Sequence, residues 1–269
     1  MPDAGFSAPF VPKVVTGMST VSIQLHIKRT TQWQDFQVSI SPDAYVLDAL
    51  EAAGAQDESL LFRHACHHAS CGSCGLRING REYLPCITPL ANFEKSNWRL
   101  RLEPLRNFPL IGDLLVDFKP FMNRLDLIGL PLMRSAQQTV DHQTGMNEIK
   151  RIQESQDQDL PILATGFNSL ENCIECGLCM SACPIVGSDP HFSGPALLAA
   201  AGRIAAEPRR QPLREALKKV DHDHGLWRCH GAYECTEVCP AGVDPAREIM
   251  SLRSRLLRRP GSIREIDKG

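Results

Sequence analysis

The stretch CHHASCGSCGLRINGREYLPC, residues 66–86, spaces its cysteines as C-x4-C-x2-C, with a fourth after eleven intervening residues. Cys66, Cys71, Cys74 and Cys86 thus carry the plant-type [2Fe–2S] spacing, in which four thiolates converge on a two-iron rhomb. Gly72 and Gly75 fall where a backbone wrapping closely round sulfur needs residues without a Cβ. Four zinc ligands are the alternative, although zinc sites more often pair short C-x2-C knuckles. His64, His67 and His68 crowd the same loop. A Rieske-type centre replaces two cysteines by histidine, but all four thiols are present here, and the histidines read as exposed loop residues.

Working outward, TVSIQLHIKRT (20–30) and WQDFQVSI (33–40) combine β-branched and aromatic residues with partial alternation, and predict a strand hairpin. Ser41 is a good N-cap and Pro42 suits a first helical turn, so a helix is expected over 42–53, closed by Gly54. Strands, a helix and a cysteine loop make a small α+β unit.

Further along, CIECGLCMSACP (173–184) is a complete C-x2-C-x2-C-x3-C-P run. In two-cluster ferredoxins the first three cysteines of such a run hold one cubane and the fourth reaches the other cluster. A second run, CHGAYECTEVCP (229–240), has Ala232 where its second cysteine belongs. Exchanging last ligands gives Cys173, Cys176, Cys179 and Cys239 to a [4Fe–4S] centre. It leaves Cys183, Cys229 and Cys235 to a centre with one corner unligated, which favours [3Fe–4S] and a higher potential than its neighbour. The alternative keeps four irons, with water or His230 at the open corner.

Four, four and three account for all eleven cysteines, leaving none for a disulfide or a nucleophile. Three centres in series with no other catalytic constellation read as an electron wire. A zinc-stabilised interaction protein is the reading from a different class. The 269 residues fit two modest domains, and a formal net charge of −2 gives no basic excess to bind nucleic acid. The opening MPDAGFSAPFVPKVV has the look of neither a secretory nor an organellar leader, so a reducing cytoplasm is expected. No run reaches the roughly 18 apolar residues of a membrane span, so any membrane contact is peripheral.

The stretch DLLVDFKPFMNRLDLIGLPLM (113–133) is too apolar for a solvated linker, and Pro120 and Pro131 interrupt any long helix, so it is expected as a packed connector. Residues 141–159 are polar and read as an exposed linker or insertion. From Leu170 the signals are helical, including GPALLAAAGRIAAE and PLREALKKV. Asp244 caps a last helix opened by Pro245, with Ile249, Leu252 and Leu256 on one face.

A plant-type [2Fe–2S] domain followed by a bacterial-type domain lacking one cysteine resembles the iron–sulfur subunit of succinate dehydrogenase and fumarate reductase, the complex II family. FRHACHHASCGSCGLRINGREYLPC, DLLVDFKPF, GPALLAA and CPAGVDP extend the likeness from about Thr20 to Leu257. The resemblance implies an α+β chain: an N-terminal extension (1–19), a plant-type β-grasp ferredoxin domain (20–108), a connector and linker (109–160), an all-α bacterial-ferredoxin-like domain (161–258) and a tail (259–269). It also implies a place between a FAD-containing flavoprotein that oxidises succinate, or reduces fumarate, and a membrane anchor that binds quinone. The subunit would then lie on the cytoplasmic side of the inner (cytoplasmic) membrane. Chemistry at carbon belongs to the partner's FAD.

In that family quinone is met near the three-iron centre, at positions that Pro184 and His230 occupy here, with Arg253 at a nearby basic position. Pro184 as a simple chain turn and His230 as a packed residue are the other readings. The tryptophan of that loop in many succinate dehydrogenases is absent from CPIVGSDPHFSGPA, whose length resembles fumarate reductases. Arg247, Arg253, Arg255, Arg258 and Arg259 form a basic face that suits an anionic leaflet or an anchor subunit, or simply a helix C-terminus. The cluster subunit of another flavin-linked dehydrogenase is a further alternative.

Overall fold

The computed structural model describes residues 20–128, 172–206 and 217–258. Strands β1 (Val21–Lys28) and β2 (Trp33–Ile40) form the expected antiparallel hairpin, with Ile23 opposite Val38 and Leu25 opposite Phe36. Period-two alternation buries Ile23, Leu25 and Ile27 completely on one face of β1, and Ser22, Gln24 and His26 take the other. β3 (Leu76–Ile78), β4 (Arg81–Tyr83) and β5 (Arg99–Glu103) complete a five-stranded sheet in the order β2-β1-β5-β3-β4. β5 runs parallel to β1 at its centre and antiparallel to β3.

Helix α1 (Val46–Gln56) covers this sheet through Val46, Ala49, Leu50 and Ala53. It begins later than Ser41 and Pro42 suggested. Ser41 instead shapes a turn, its Oγ accepting the Asp43 N–H at 3.3 Å. The helix starts where Asp48 Oδ2 accepts the Tyr45 N–H at 2.8 Å and the Val46 N–H reaches the Thr88 carbonyl at 2.9 Å. Gly54 is not its end. The helix runs two residues further, and the bare Gly54 Cα faces Phe62, whose ring edge would lie 3.1 Å from a Cβ there.

β6 (Leu110–Gly112) and β7 (Leu115–Val116) make a short ribbon leading into α2 (Lys119–Ile128). Pro120 opens this helix instead of breaking it, because a first-turn residue has no intrahelical use for an N–H. Pro131 and residues 141–159 lie outside the described residues, as do most of PLREALKKV and Arg259.

Among the described residues after α2 the regular elements are helical: α3 (Leu178–Ala182), α4 (Pro184–Ser188), α5 (Pro195–Ala206), α6 (Glu234–Glu237) and α7 (Pro245–Arg258). Asp244 caps α7 by accepting the Arg247 N–H at 3.0 Å, and Ile249 and Leu252 are buried. They join Phe192, Leu198, Ala201, Ile204 and Leu226 in one core, with Phe121, Leu125 and Ile128 of α2 packed into it. Arg124 of α2 donates to the carbonyls of Pro190 and Phe192 at 3.0 and 3.2 Å.

The two halves share a buried cluster in which Leu47, Cys74, Leu84, Cys86, Leu105 and Val116 pack with Cys176 and Leu178. Polar contacts reinforce the seam. The Ser181 hydroxyl donates to buried Glu82 Oε1 at 2.8 Å and accepts the Arg106 N–H at 2.9 Å. Arg81 donates to the Glu237 carbonyl at 3.2 Å.

Candidate metal centres

The loop from Cys66 to Cys74 links α1 to β3, and Cys86 sits in a 3-10 turn (Pro85–Ile87) just past β4. Left-handed conformations at His67, Ala69 and Gly72 coil the loop tightly. Backbone N–H groups therefore point inward at sulfur: Cys66 Sγ accepts from Ser70 at 3.2 Å and Cys71 at 3.3 Å. N–H groups of His68 and Cys71 outweigh desolvation and bring the Cys66 thiol down to about 6. Cys74 goes the other way. Burial, with Cys86 and Cys71 as close acidic neighbours, pushes it up to about 12. Arg63 braces the loop from outside, its Nε donating to the Ser73 carbonyl at 3.1 Å and its guanidinium lying 4.2 Å from the Phe118 ring centroid.

In the second half, Gly177 in a left-handed conformation starts α3 between Cys176 and Cys179. A side chain there would strike Phe108 at 2.8 Å and Phe118 at 3.1 Å, two rings stacked 4.8 Å apart that wall the site. Burial raises the thiols of Cys176 and Cys179, Cys176 to about 12, and desolvation by the surrounding chain raises that of Cys173, although the residue is exposed at the surface. Each of the three is raised further by Cys239, which arrives from beyond α6.

Cys183 stands between α3 and α4, and its thiol is likewise raised, first by burial and then by Cys229. Cys235 of α6 is pushed to about 11 by burial and by the proximity of Cys183 and Cys229. Cys183, Cys229 and Cys235 line one cavity together with Pro184, His230, Ala232 and Ile249. The exposed Ala232 offers only a methyl group to it. Pro184 and His230 are both exposed at this cavity.

All eleven cysteines are free of disulfides. Neighbouring thiols act on one another within these loops: Cys86 and Cys71 on Cys74, Cys239 on Cys173, Cys176 and Cys179, and Cys229 on Cys183 and Cys235. A metal that binds such thiols replaces their protons, so clustered cysteines are a donor set for a thiophilic centre. Iron–sulfur clusters, which take thiolate ligands, fit this donor set.

The groups also adjoin one another. A Cβ on Gly72 would lie 2.7 Å from the Cβ of Cys176, and Cys235 is among the residues raising the Cys179 thiol.

Several positioning residues lie outside any cysteine spacing. Asn107 Nδ2 donates to the carbonyls of Met180, Ser181 and Cys183 at 2.8, 3.2 and 3.2 Å, holding the end of α3 and the Cys183 backbone. Arg253 donates through Nε to the Leu226 carbonyl at 2.8 Å and through Nη2 to the Cys229 carbonyl at 2.6 Å. Its guanidinium is thereby committed to the loop that carries Cys229. Of the basic face on α7, Arg247 pairs with Asp244 at 3.2 Å and Arg255 is exposed.

Residues 21–123 match the family model described as a 2Fe-2S iron-sulfur cluster binding domain, and residues 169–243 the one described as a 4Fe-4S dicluster domain. The chain is 34% identical to the fumarate reductase iron-sulfur subunit of Haemophilus influenzae, over 80% of this chain and 82% of that protein. It is also 34% identical to the fumarate reductase iron-sulfur subunit of Mycobacterium tuberculosis, over 83% and 85%. The succinate dehydrogenase iron-sulfur subunit of Coxiella burnetii is 30% identical over 84% of this chain and 90% of its own. In three dimensions the chain is similar to a subunit of the Mycobacterium smegmatis Sdh1 complex, with a TM-score of 0.67 at 25% identity, covering 90% of this chain and 98% of that one. Among the described residues no helix is long and apolar enough to cross a membrane.

Proposed function

The chain belongs to the family of iron–sulfur subunits of succinate dehydrogenase and fumarate reductase, and from that premise we propose that it relays electrons between the FAD of a flavoprotein partner and the quinone of a membrane anchor. Its general role as an electron-transfer subunit of an oxidoreductase follows from the family. The ligand sets, the third centre, the partners and the direction are this proposal. Cys66, Cys71, Cys74 and Cys86 hold a [2Fe–2S] centre. Cys173, Cys176, Cys179 and Cys239 hold a [4Fe–4S] centre, and Cys183, Cys229 and Cys235 a [3Fe–4S] centre. When bound, the clusters supply one-electron carriers of different potential.

The observation that carries this reading is the continuity of the three thiol groups, through Gly72 against Cys176 and then through Cys179 near Cys235. This chain's residues do the rest. Backbone N–H groups at Cys66 stabilise negative sulfur, Phe108 and Phe118 exclude water beside Gly177, and Asn107 and Arg253 fix the backbone of Cys183 and Cys229. A β-grasp domain over 20–108 and an all-α domain over 161–258, joined by a connector over 109–160, are the domain reading. The β2-β1-β5-β3-β4 sheet under α1 supports the first and the helical elements from α3 to α7 the second. Pro184 and His230, exposed on the cavity beside the three-thiol group, form the approach for quinone, with Arg253 positioning the loop beneath it. Attachment to the cytoplasmic face of the membrane runs through the anchor.

Running the relay from succinate to quinone is the first reading, and quinol to fumarate is the second. The second is favoured by the 34% identity to fumarate reductase subunits against 30% to the succinate dehydrogenase of Coxiella burnetii.

The test is purification of the chain with its partners under anaerobic conditions, followed by iron and acid-labile sulfide analysis and EPR before and after succinate. About nine irons per chain, a three-iron signal when oxidised and succinate-reducible centres are expected. Zinc without sulfide would make the chain a zinc-stabilised interaction protein instead. Comparing succinate:quinone with quinol:fumarate turnover decides the direction.

A further inference from the structure

The one cluster of metal-ligating side chains outside the thiol groups, among the described residues, lies beside the first cysteine loop. Glu51 projects from α1 toward His64 and His67, which flank Cys66 in sequence. Glu51 Oε1 is 3.3 Å from His64 Nδ1 and 3.4 Å from His67 Nε2, and the two ring nitrogens are 3.1 Å apart. Three donor atoms from three side chains therefore meet in a nearly equilateral triangle.

Hydrogen bonding leaves this triangle unsatisfied. A proton shared between the two ring nitrogens satisfies that edge alone. Glu51 Oε1 is shielded from solvent and has no hydrogen-bond partner, although its residue is only half-buried. Its two loose contacts to the ring nitrogens lack hydrogen-bond geometry, and a shielded carboxylate oxygen so poorly satisfied is costly. The rings are also held in place: His64 stacks on Phe62 with centroids 5.3 Å apart, and His67 meets His64 edge-on at 5.1 Å. His67 takes a left-handed conformation, φ 60°, in doing so.

We propose that Glu51, His64 and His67 bind a single first-row divalent cation of the Zn2+ class, with water at a fourth position, clamping the loop that carries Cys66 to helix α1. Tetrahedral bonds of about 2.0–2.1 Å to nitrogen and oxygen put neighbouring ligand atoms about 3.3–3.4 Å apart, which matches the two edges to Glu51 and exceeds the 3.1 Å edge between the rings by a few tenths of an ångström. Two imidazoles and one carboxylate are a donor set for zinc, and imidazole selects against the hard cations that prefer oxygen alone. The site uses none of the eleven thiols, and it stands whichever way the relay runs.

The test uses the complete, anaerobically prepared protein with its iron in place, dialysed against Zn2+, with zinc, iron and sulfide counted before and after. One saturable zinc per chain without loss of iron is expected, and X-ray absorption at the zinc edge should show nitrogen and oxygen ligands and no sulfur. Glu51→Gln should weaken binding at least about tenfold, and His64→Asn with His67→Asn should abolish it. His68→Asn, outside the triangle, should bind as the wild type does. Zinc uptake matched by iron loss, sulfur in the zinc shell, no saturable zinc, or equal binding by Glu51→Gln would each overturn the proposal. The absorption spectrum of the unaltered protein decides the matter even where a variant fails to fold.

Discussion

Gly72 and Cys176 approach so closely that a single methyl group on Gly72 would sit 2.7 Å from the Cys176 Cβ and 2.9 Å from its Cα. The backbone of one cysteine loop is thus the wall of the next thiol group. Gly72 also has φ +67°, a conformation that L side chains rarely adopt. Gly72→Ala should cost about 1–3 kcal/mol by overpacking. It should also lower incorporation at both the first and second centres. Thermal melts with iron analysis check this, and normal iron content with unchanged stability would contradict the contact.

Ala232 lines the cavity shared by Cys183, Cys229 and Cys235 and brings no ligand to it. Ala232→Cys should raise iron from about nine to about ten per chain. It should also remove the oxidised three-iron EPR signal, lower that centre's potential and slow quinone reduction. An unaltered signal in the variant means that the second ferredoxin run is out of register with its ligands.

Asn107 ties three carbonyls at the end of α3, including that of Cys183. Asn107→Ala removes all three donor contacts and should cost about 1–3 kcal/mol. The third centre should be lost in preference to the first, because Cys66 to Cys86 lie on the other side of the seam. Asn107→Asp should be no better, since a carboxylate cannot donate. EPR of each centre after partial urea denaturation distinguishes selective loss from a general one.

Asp113 ties the β6–β7 ribbon to the first hairpin. It accepts N–H groups of Thr30 and Leu61, both at 2.9 Å, and pairs with Arg29 at 3.1 Å. Burial alone would raise its carboxyl, but the N–H groups of Leu61 and Thr30 and the Arg29 guanidinium hold it below the usual value. A depressed carboxyl stabilises the fold above its unfolded pKa of about 4 and loses that contribution as pH falls through the folded value. Asp113→Asn should therefore destabilise by about 1.5–3 kcal/mol at neutral pH. The difference from wild type should shrink toward pH 3. Melts of both proteins at pH 7, 5 and 3 measure it, and a gap that widens on acidification would refute the sign.

Much of the cysteine pattern is legible in the sequence itself. Cysteine spacing separates the first loop from the two later runs, and the gap at Ala232 is visible as a missing letter, because sulfur ligation imposes fixed short intervals on the chain. Hairpin strands and the Asp244–Pro245 helix start were legible for a similar reason, since alternation and capping are local. The start of α1 was not. Ser41 and Pro42 satisfy the local rule, yet the helix waits for Tyr45, where Asp48 and the distant Thr88 carbonyl supply the bonds.

Residue order alone determined which thiols exist, how they are spaced and that Ala232 stands where the second cysteine of a regular run would be. Only the folded chain decided that Gly72 meets Cys176, that Asn107 and Arg253 are spent on the carbonyls of Cys183 and Cys229, and that Glu51 turns two loop histidines into a converging set. Successive cysteines within each motif lie at most twelve residues apart, whereas Arg253 and Cys229 are 24 apart, Asn107 and Cys183 76, and Gly72 and Cys176 104. No local preference encodes such pairs. Burial of a shared core between the two halves brings Gly72 to Cys176 and Asn107 to Cys183.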